Sequence, residues 1–242
     1  MKEQMLYQEL GKYYDLIYSK KDYKKESEVV KGLINKYKKS DGNALLDVAC
    51  GTGRYLAFLK DNYKCTGTDI NEGILAVARK NVKGVEYHKA DMINFNLHKQ
   101  FDIITCLFSS IGYVKTYENL KRTIDNFSRH LKNGGVLIIE PWINKKTFDV
   151  KKSAWLSVYE GDDIKIARMG TSKMKGDLSI LDMHYLVGKS GKEVEYYSDR
   201  HFMGLFDVDK TLEFMRDAGL KPVFLKKGLL AKDRGLYVCV KK

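Results

Sequence analysis

The stretch Leu45-Leu46-Asp47-Val48-Ala49-Cys50-Gly51-Thr52-Gly53-Arg54 decides the fold. An apolar run ends in an acid and passes into a turn of small residues and glycines. Tyr55-Leu56-Ala57-Phe58-Leu59 then reads as a helix. A strand that stops in a turn free of bulky side chains lets backbone N–H groups approach a ligand, and the helix start adds its positive end. Such turns bind nucleotide-like molecules. A dinucleotide site needs Gly-x-Gly-x-x-Gly, whereas Gly51 and Gly53 are followed by Leu56. A phosphate-binding loop ends in Gly-Lys-Ser/Thr, where this chain has Gly53-Arg54-Tyr55. A second acid, Asp69, closes the next apolar run, and one carboxylate can accept both hydroxyls of a ribose. The ligand therefore has a ribose but needs no pyrophosphate cradle.

Outward from this stretch the pattern alternates. Residues 4–18 and 22–39 read as helices from apolar spacing such as Leu6, Leu10, Tyr14 and Ile17. Strands are expected at Ala44–Ala49, Lys64–Asp69, Val85–His88, Phe101–Leu107 and Val136–Glu140. Helices are expected at Tyr55–Leu59, Glu72–Asn81 and Tyr117–Leu131. Strands separated by helices imply a parallel sheet covered on both faces, with Gly51, Asp69, Asp91 and Ser109 along one edge. From Trp155 to Phe206 the period becomes two, with turn signals at Gly161-Asp162-Asp163, Lys175-Gly176-Asp177 and Gly188-Lys189-Ser190-Gly191. The core resumes with a helix over Val208–Ala218, ended by Gly219, and with two closing strands. The expected fold is α/β, a Rossmann-like doubly wound sheet with an inserted antiparallel β-sheet. Residues 1–40 form helices over the cofactor, 41–150 and 207–242 the cofactor-binding core, and 151–206 the inserted sheet over the substrate.

The chain has 242 residues, 44% of them hydrophobic, enough for one substantial core. The N-terminus shows no signal-peptide pattern, and no apolar run approaches the roughly 20 residues that span a bilayer. Cys50, Cys65, Cys106 and Cys239 stand apart inside apolar runs, the habit of core thiols in a reducing compartment, so a cytoplasmic protein without a metal site is expected. The net charge of +12 comes from lysines scattered in pairs, such as Lys20-Lys21 and Lys226-Lys227. Solvated faces explain these better than a nucleic-acid surface, and an anionic small substrate would also suit them. No membrane association is expected, and a homodimer is left open.

Asp47–Gly53 resembles the first motif of the class I S-adenosylmethionine-dependent methyltransferases, whose methyl donor has a ribose and no pyrophosphate. Asp69 resembles their ribose-binding acid, and Lys89-Ala90-Asp91-Met92 their adenine-binding segment. Phe101–Cys106 is similar to their fourth strand, and Leu131–Leu137 to the turn into the fifth. The resemblance implies S-adenosyl-L-methionine as donor, with S-adenosyl-L-homocysteine as product. It implies cofactor contacts at Asp47, Ala49, Gly51, Gly53, Asp69, Ile70, Asp91, Met92, Phe108 and Ser109. Phe108–Gly112, Glu140-Pro141-Trp142, Ala167-Arg168, Met183-His184-Tyr185 and Tyr197–His201 resemble one branch, the N,N-dimethyltransferases of nucleotide-linked deoxyamino sugars. That branch closes a tyrosine-bearing first helix over the methionine end of the cofactor, which implies such a role for Tyr14 and Tyr23. It also carries a histidine after Ser-Ser-Ile-Gly, where this chain has Tyr113.

Methyl transfer from a sulfonium needs in-line approach, a neutral nucleophile and exclusion of water more than it needs acid–base groups. An amine must still lose its proton, and Tyr14, Tyr113, His184 and His201 are the candidate acceptors. Ser110, Trp142 and Arg168 are the candidate substrate contacts, the arginine as a phosphate fork. Core packing is the competing account of the tyrosines, and a satisfied sheet residue that of the histidines. The function expected is methyl transfer to a small-molecule amine, with a nucleotide-linked amino sugar as the specific form. RNA or protein methylation, and cofactor binding without catalysis, are the alternatives.

Overall fold

The computed structural model describes residues 11–230 and 234–242. Helices α1 (Gly11–Ile17) and α2 (Tyr23–Tyr37) precede the sheet. The part of the expected first helix before Gly11, with Leu6 and Leu10, lies outside the described residues. Asp22 caps α2 by accepting from Lys25 N, and the buried stripe of Tyr23, Val30 and Ile34 docks it on the core.

The core alternates as its apolar spacing requires: β1 (Ala44–Val48), α3 (Leu56–Leu59), β2 (Lys64–Asp69), α4 (Glu72–Asn81), β3 (Glu86–Lys89), β4 (Phe101–Cys106), α5 (Tyr117–His130) and β5 (Leu131–Ile139). Asn71 and Thr116 cap α4 and α5. After the inserted strands come α6 (Val208–Asp217), β10 (Leu220–Leu225) and β11 (Leu236–Lys241). The order is β10-β11-β5-β4-β1-β2-β3. Strands β1 to β5 pair in parallel, while β11 runs antiparallel between β5 and β10. One apolar cluster, including Phe127, Leu137 and Met215, fills one face, and a second, including Ile34, Leu56 and Val238, fills the other. The sheet is therefore doubly wound, with β1 central and its C-terminal end open beside β4.

The period-two segment forms its own sheet, β6 (Ala154–Glu160), β7 (Ile164–Lys175), β8 (Leu178–Lys189) and β9 (Glu195–Gly204), all antiparallel and in sequence order. Ile166, Met183, Tyr185 and Val187 from one face of this sheet pack with Tyr13 and Tyr14 of α1 and Ile74 of α4. Helix α1 is thus held between the small sheet and the core, over the end of β1.

Candidate active site

The turn after β1 is made of unusual backbone. Ala49 (φ 57°), Gly51 (φ 56°) and Gly53 (φ 79°) all lie in the left-handed region. At Gly53 a side chain would also be crowded, since a Cβ there would stand 3.0 Å from Tyr87 Oη and 3.3 Å from Val82. Gly67 of β2 admits the turn from the other side, because a Cβ at that position would come within 2.9 Å of Cys50 Sγ and Leu56. A glycine inside a strand is the sequence signal of such an approach.

Asp69 ends β2 and ties this turn down, accepting from Gly51 N and from Asn71 N at 3.0 Å each. Burial pushes its pKa up, and the backbone N–H groups of Asn71, Gly51 and Ile70 pull against that. Each oxygen retains a lone pair for a further donor. Ala90 N donates to Asp69 O, which places Asp91 and Met92 beside it on the same edge. Asp91 Oδ1 accepts from Ile93 N at 2.9 Å, and Asn126 Nδ2 donates to Met92 O at 3.2 Å. Ile70 follows Asp69 and is 62% exposed at this edge.

A cleft opens where β1 and β4 end, lined by Tyr14, Tyr23, Asp47, Ala49, Gly51, Arg54, Phe108 and Ser110 among others. Asp47 is fully buried. Its Oδ1 accepts from Thr105 Oγ1 at 2.7 Å, while Oδ2 has no protein partner among the described residues. Burial pushes its pKa up to about 7, the nearby Asp69 adds to this, and the Thr105 bond opposes it. Arg54 Nε, in the same cleft, is also buried without a partner among the described residues. An orphaned acceptor and an orphaned donor in one cleft match the ammonium and carboxylate of an amino acid. That is the chemistry of the methionine end of S-adenosylmethionine.

Helix α1 closes over this cleft through contacts that sequence spacing did not reveal. Thr52 Oγ1 donates to Asp15 Oδ1 at 2.8 Å, and Asp15 Oδ2 faces Arg54 at 4.0 Å. Tyr14 packs on Tyr18 at 4.8 Å between centroids, and Tyr18 meets Phe108 edge-on at 5.0 Å. The Arg168 guanidinium, reaching in from β7, lies 4.9 Å from the Tyr18 ring and 4.7 Å from the Trp155 ring. Its Nε donates to Ser157 Oγ at 3.1 Å. Two aromatic faces and one hydroxyl thus fix the plane of the fork.

Phe108 (φ 52°) and Ser109 (φ 63°) are consecutive non-glycine residues in the left-handed region, each costing about 1–3 kcal/mol. The strain is held by the buried Glu140, which accepts from Phe108 N at 2.7 Å. Ser109 Oγ donates to Pro141 O and accepts from Arg234, both at 2.9 Å. The hydroxyl of Ser109 thus helps to shape this loop. Arg234 also lies 4.7 Å from the Trp142 ring.

The four expected proton acceptors separate. Tyr14 lines the cleft. Tyr113, in the 3-10 turn Ser110–Val114, places Oη 2.6 Å from His201 Nδ1, and His201 Nε2 is 2.9 Å from Asp199 Oδ2. His184 does not join them. It shares β8 with the inward-facing Met183 and Tyr185, so strand alternation turns it outward. There it is exposed, and Nδ1 pairs with Tyr196 Oη at 2.6 Å. His184, a candidate proton acceptor from its sequence, thus lies on the face opposite Met183 and Tyr185.

Among known proteins, the methyltransferase domain family model matches residues 45–135. The dTDP-3-amino-3,4,6-trideoxy-alpha-D-glucopyranose N,N-dimethyltransferase of Streptomyces venezuelae is 35% identical over 94% of this chain and 95% of its own. The dTDP-4-amino-2,3,4,6-tetradeoxy-D-glucose N,N-dimethyltransferase of Saccharopolyspora spinosa is 30% identical over 94% of this chain and 91% of its own. The solved structure of S-adenosylmethionine-bound CalS10, an amino pentose methyltransferase of Micromonospora echinaspora, superimposes with a TM-score of 0.82. It is 26% identical and covers 92% of each chain.

Proposed function

This chain belongs to the S-adenosylmethionine-dependent methyltransferases, in the family of the amino-sugar N,N-dimethyltransferases, and from that premise we propose that it methylates the amine of a nucleotide-linked amino sugar. One observation carries the reading: the likeness runs through 94% of the chain, inserted sheet included. That sheet supplies Arg168, a cation held between two rings. A guanidinium fork so placed suits the diphosphate of a sugar nucleotide.

The residues present fit the methyl donor, which when bound supplies a methyl group activated by its sulfonium. Asp69 accepts the ribose hydroxyls, and Asp91 the exocyclic amine of adenine, with Met92 and Ile70 against the ring. Asp47 takes the ammonium and Arg54 the carboxylate of the methionine end. Ala49, Gly51 and Gly53 keep the turn narrow enough for backbone to reach the ligand. Tyr14 and Tyr23 exclude water from above, and the strained Phe108–Ser109 pair sets the floor. Ser110 lines the cleft toward the acceptor, and Trp142 and Arg168 are the further acceptor contacts. The division of labour is then residues 1–40 as cover, 41–150 and 207–242 as donor-binding core, and 151–206 as acceptor roof.

Four free, buried thiols support residence in a reducing cytoplasm. Leu156, Val158, Met169, Leu186 and Tyr196, exposed on the small sheet, support a homodimer through that face. The activity is tested by incubating the protein with S-adenosylmethionine and dTDP-sugars aminated at C3 or C4, reading products by mass spectrometry. Mass gains of one and two methyl groups on one sugar are expected. Methylation of RNA or protein with every sugar left unchanged overturns the reading.

A further inference from the structure

The segment that carries Asp91 and Met92 is fastened from behind by one face of α5. Asn126 Nδ2 donates to Met92 O at 3.2 Å, and His130 Nε2 accepts from Leu97 N at 3.2 Å. Residues four apart share a helix face, so the same face of α5 grips both ends of residues 92–97. Between these bonds the buried Phe95 ring packs against His130, with 4.5 Å between ring centroids, and lies 6.3 Å from Phe127. Toward β2, Ala90 N donates to Asp69 O, and Phe95 N closes a turn onto Asp91 O. Asp91 Oδ1 accepts from Ile93 N. The path of the segment and the aim of the Asp91 carboxylate are therefore set together.

The hydrogen-bonding inventory fixes how the two α5 side chains are used. Asn126 is fully buried, and Arg129 Nη2 donates to its Oδ1 at 3.0 Å, which turns Nδ2 toward Met92. His130 is buried too, with Nδ1 2.9 Å from Asn126 O. A carbonyl only accepts and a backbone N–H only donates, so the ring is neutral with its proton on Nδ1 and a bare Nε2 for Leu97. Burial holds its pKa below the ordinary histidine value; the Asn126 carbonyl opposes this, and the charges of Arg129 and His98 assist it. Helix α5 is itself locked at this end. Ser128 Oγ donates to Ala218 O at 2.7 Å, and Lys241 Nζ donates to Ser128 O and Leu131 O at 2.7 and 2.8 Å.

We propose that Asn126 and His130 are positioning residues for recognition of the donor's adenine, holding residues 92–97 so that Asp91 meets the exocyclic amine and Met92 the ring. This rests on the adenine placement given under the proposed function. A hydrogen bond to the amine weakens steeply as its angle closes, whereas apolar contact with the ring tolerates small shifts. A segment released from α5 thus loses selectivity for the amine first. The ribose and methionine ends keep their own partners at Asp69 and the β1 turn.

The test compares two ligands that differ only at that group: S-adenosylhomocysteine, and S-inosylhomocysteine with a carbonyl in place of the amine. Titration calorimetry should show the wild type preferring the adenosyl compound about 10- to 150-fold, the worth of one hydrogen bond to a charged acceptor. In Asn126→Ala and His130→Ala the preference should shrink about tenfold, most of that bond. His130→Gln, whose amide oxygen can accept from Leu97 N in place of Nε2, should restore it. Weakening of both ligands by the same factor, with the preference intact, is the mark of a merely structural role and overturns the proposal. Asp91→Ala separates the two failures. Preference lost there but kept in the α5 variants removes Asn126 and His130 alone; preference kept in all of them removes the adenine placement as well. A second measurement needs no variant, the titration of the His130 imidazole followed by NMR. Protonation takes away the acceptor of Leu97 N, so by reciprocity a ligand that needs the segment held favours the neutral ring. Saturating S-adenosylhomocysteine should move the His130 midpoint to lower pH, and S-inosylhomocysteine should move it less. A midpoint unchanged by S-adenosylhomocysteine overturns the proposal.

Discussion

Asp47→Asn should make the protein more stable and a worse binder of S-adenosylmethionine at the same time. Burial raises the Asp47 carboxyl from its ordinary 3.8 to about 7. The folded chain therefore holds this proton more tightly than the unfolded chain does. The sign follows: stability is highest below pH 3.8 and is lost progressively as pH rises toward 7. Above that, the ionised group costs about 4 kcal/mol; at pH 5 the cost is only about 1.6 kcal/mol. Asparagine keeps the acceptor for Thr105 Oγ1 and removes the charge. Its amide N–H group inherits the orphaned position of Oδ2, which costs about 1–3 kcal/mol. The net gain at pH 8 is about 1–3 kcal/mol, or about 2–12 °C in Tm for a chain of this size, and it declines toward pH 5. Donor binding moves the other way. Losing a charge-assisted bond to the ammonium costs about 1.5–3 kcal/mol, which is about 10- to 150-fold in Kd. Scanning calorimetry at pH 5 and 8 measures the first effect and titration calorimetry the second. A variant that is destabilised at pH 8 and binds the donor normally would refute both the strained-charge account and the ammonium assignment.

Three further outcomes follow from the site. Asp69→Ala removes the acceptor of Gly51 N and the ribose partner together, so donor Kd should rise by at least tenfold in titration calorimetry; an unchanged Kd removes Asp69 from the ribose. Arg168→Lys keeps a cation but loses the planar fork between Tyr18 and Trp155. KM for a dTDP-amino sugar should rise about tenfold, about 1.4 kcal/mol, with kcat nearly constant, and an equal loss in both would place Arg168 at the chemistry instead. His184→Ala, on the outward face, should leave kcat and KM within twofold of wild type in steady-state assays, and a larger loss would return that face to the site.

The donor side was legible because its determinants are local. A glycine turn, the acid that ends the next strand and the acid after the third are read from short windows, since each needs only its own strand to position it. Helix boundaries from Glu72–Asn81 to Val208–Asp217 were legible for the same reason, a cap followed by an amphipathic stripe. Misreadings arose where chain ends or parity were ambiguous. Strand β5 begins at Leu131, ahead of the Gly134-Gly135 expected to precede it, because the chain pairs with Phe101 before its register shifts against β4. On β8 both faces carry apolar residues, Met183 and Tyr185 inward and Leu186 outward. Alternation alone could not say on which side His184 falls.

The walls around the donor turn and the acceptor side obey a different rule, and the distances along the chain explain why. Asp15 meets Thr52 across 37 residues, Glu140 meets Phe108 across 32, Tyr113 meets His201 across 88, and Arg234 meets Ser109 across 125. None of these partners stands in a fixed sequence spacing to the other, so each is visible only once the small sheet is docked. The consequence is a separation of constraints. The donor site can persist in any chain that keeps the β1 turn, Asp69 and the third-strand acid. The acceptor site depends on how β9, the Ser110–Val114 turn and α1 pack together. Tyr113 of the Ser110–Val114 turn meets a long-range partner, the inward-facing His201 of β9. Substitutions on β9 should therefore raise KM for the acceptor or lower kcat while leaving the Kd of the donor intact.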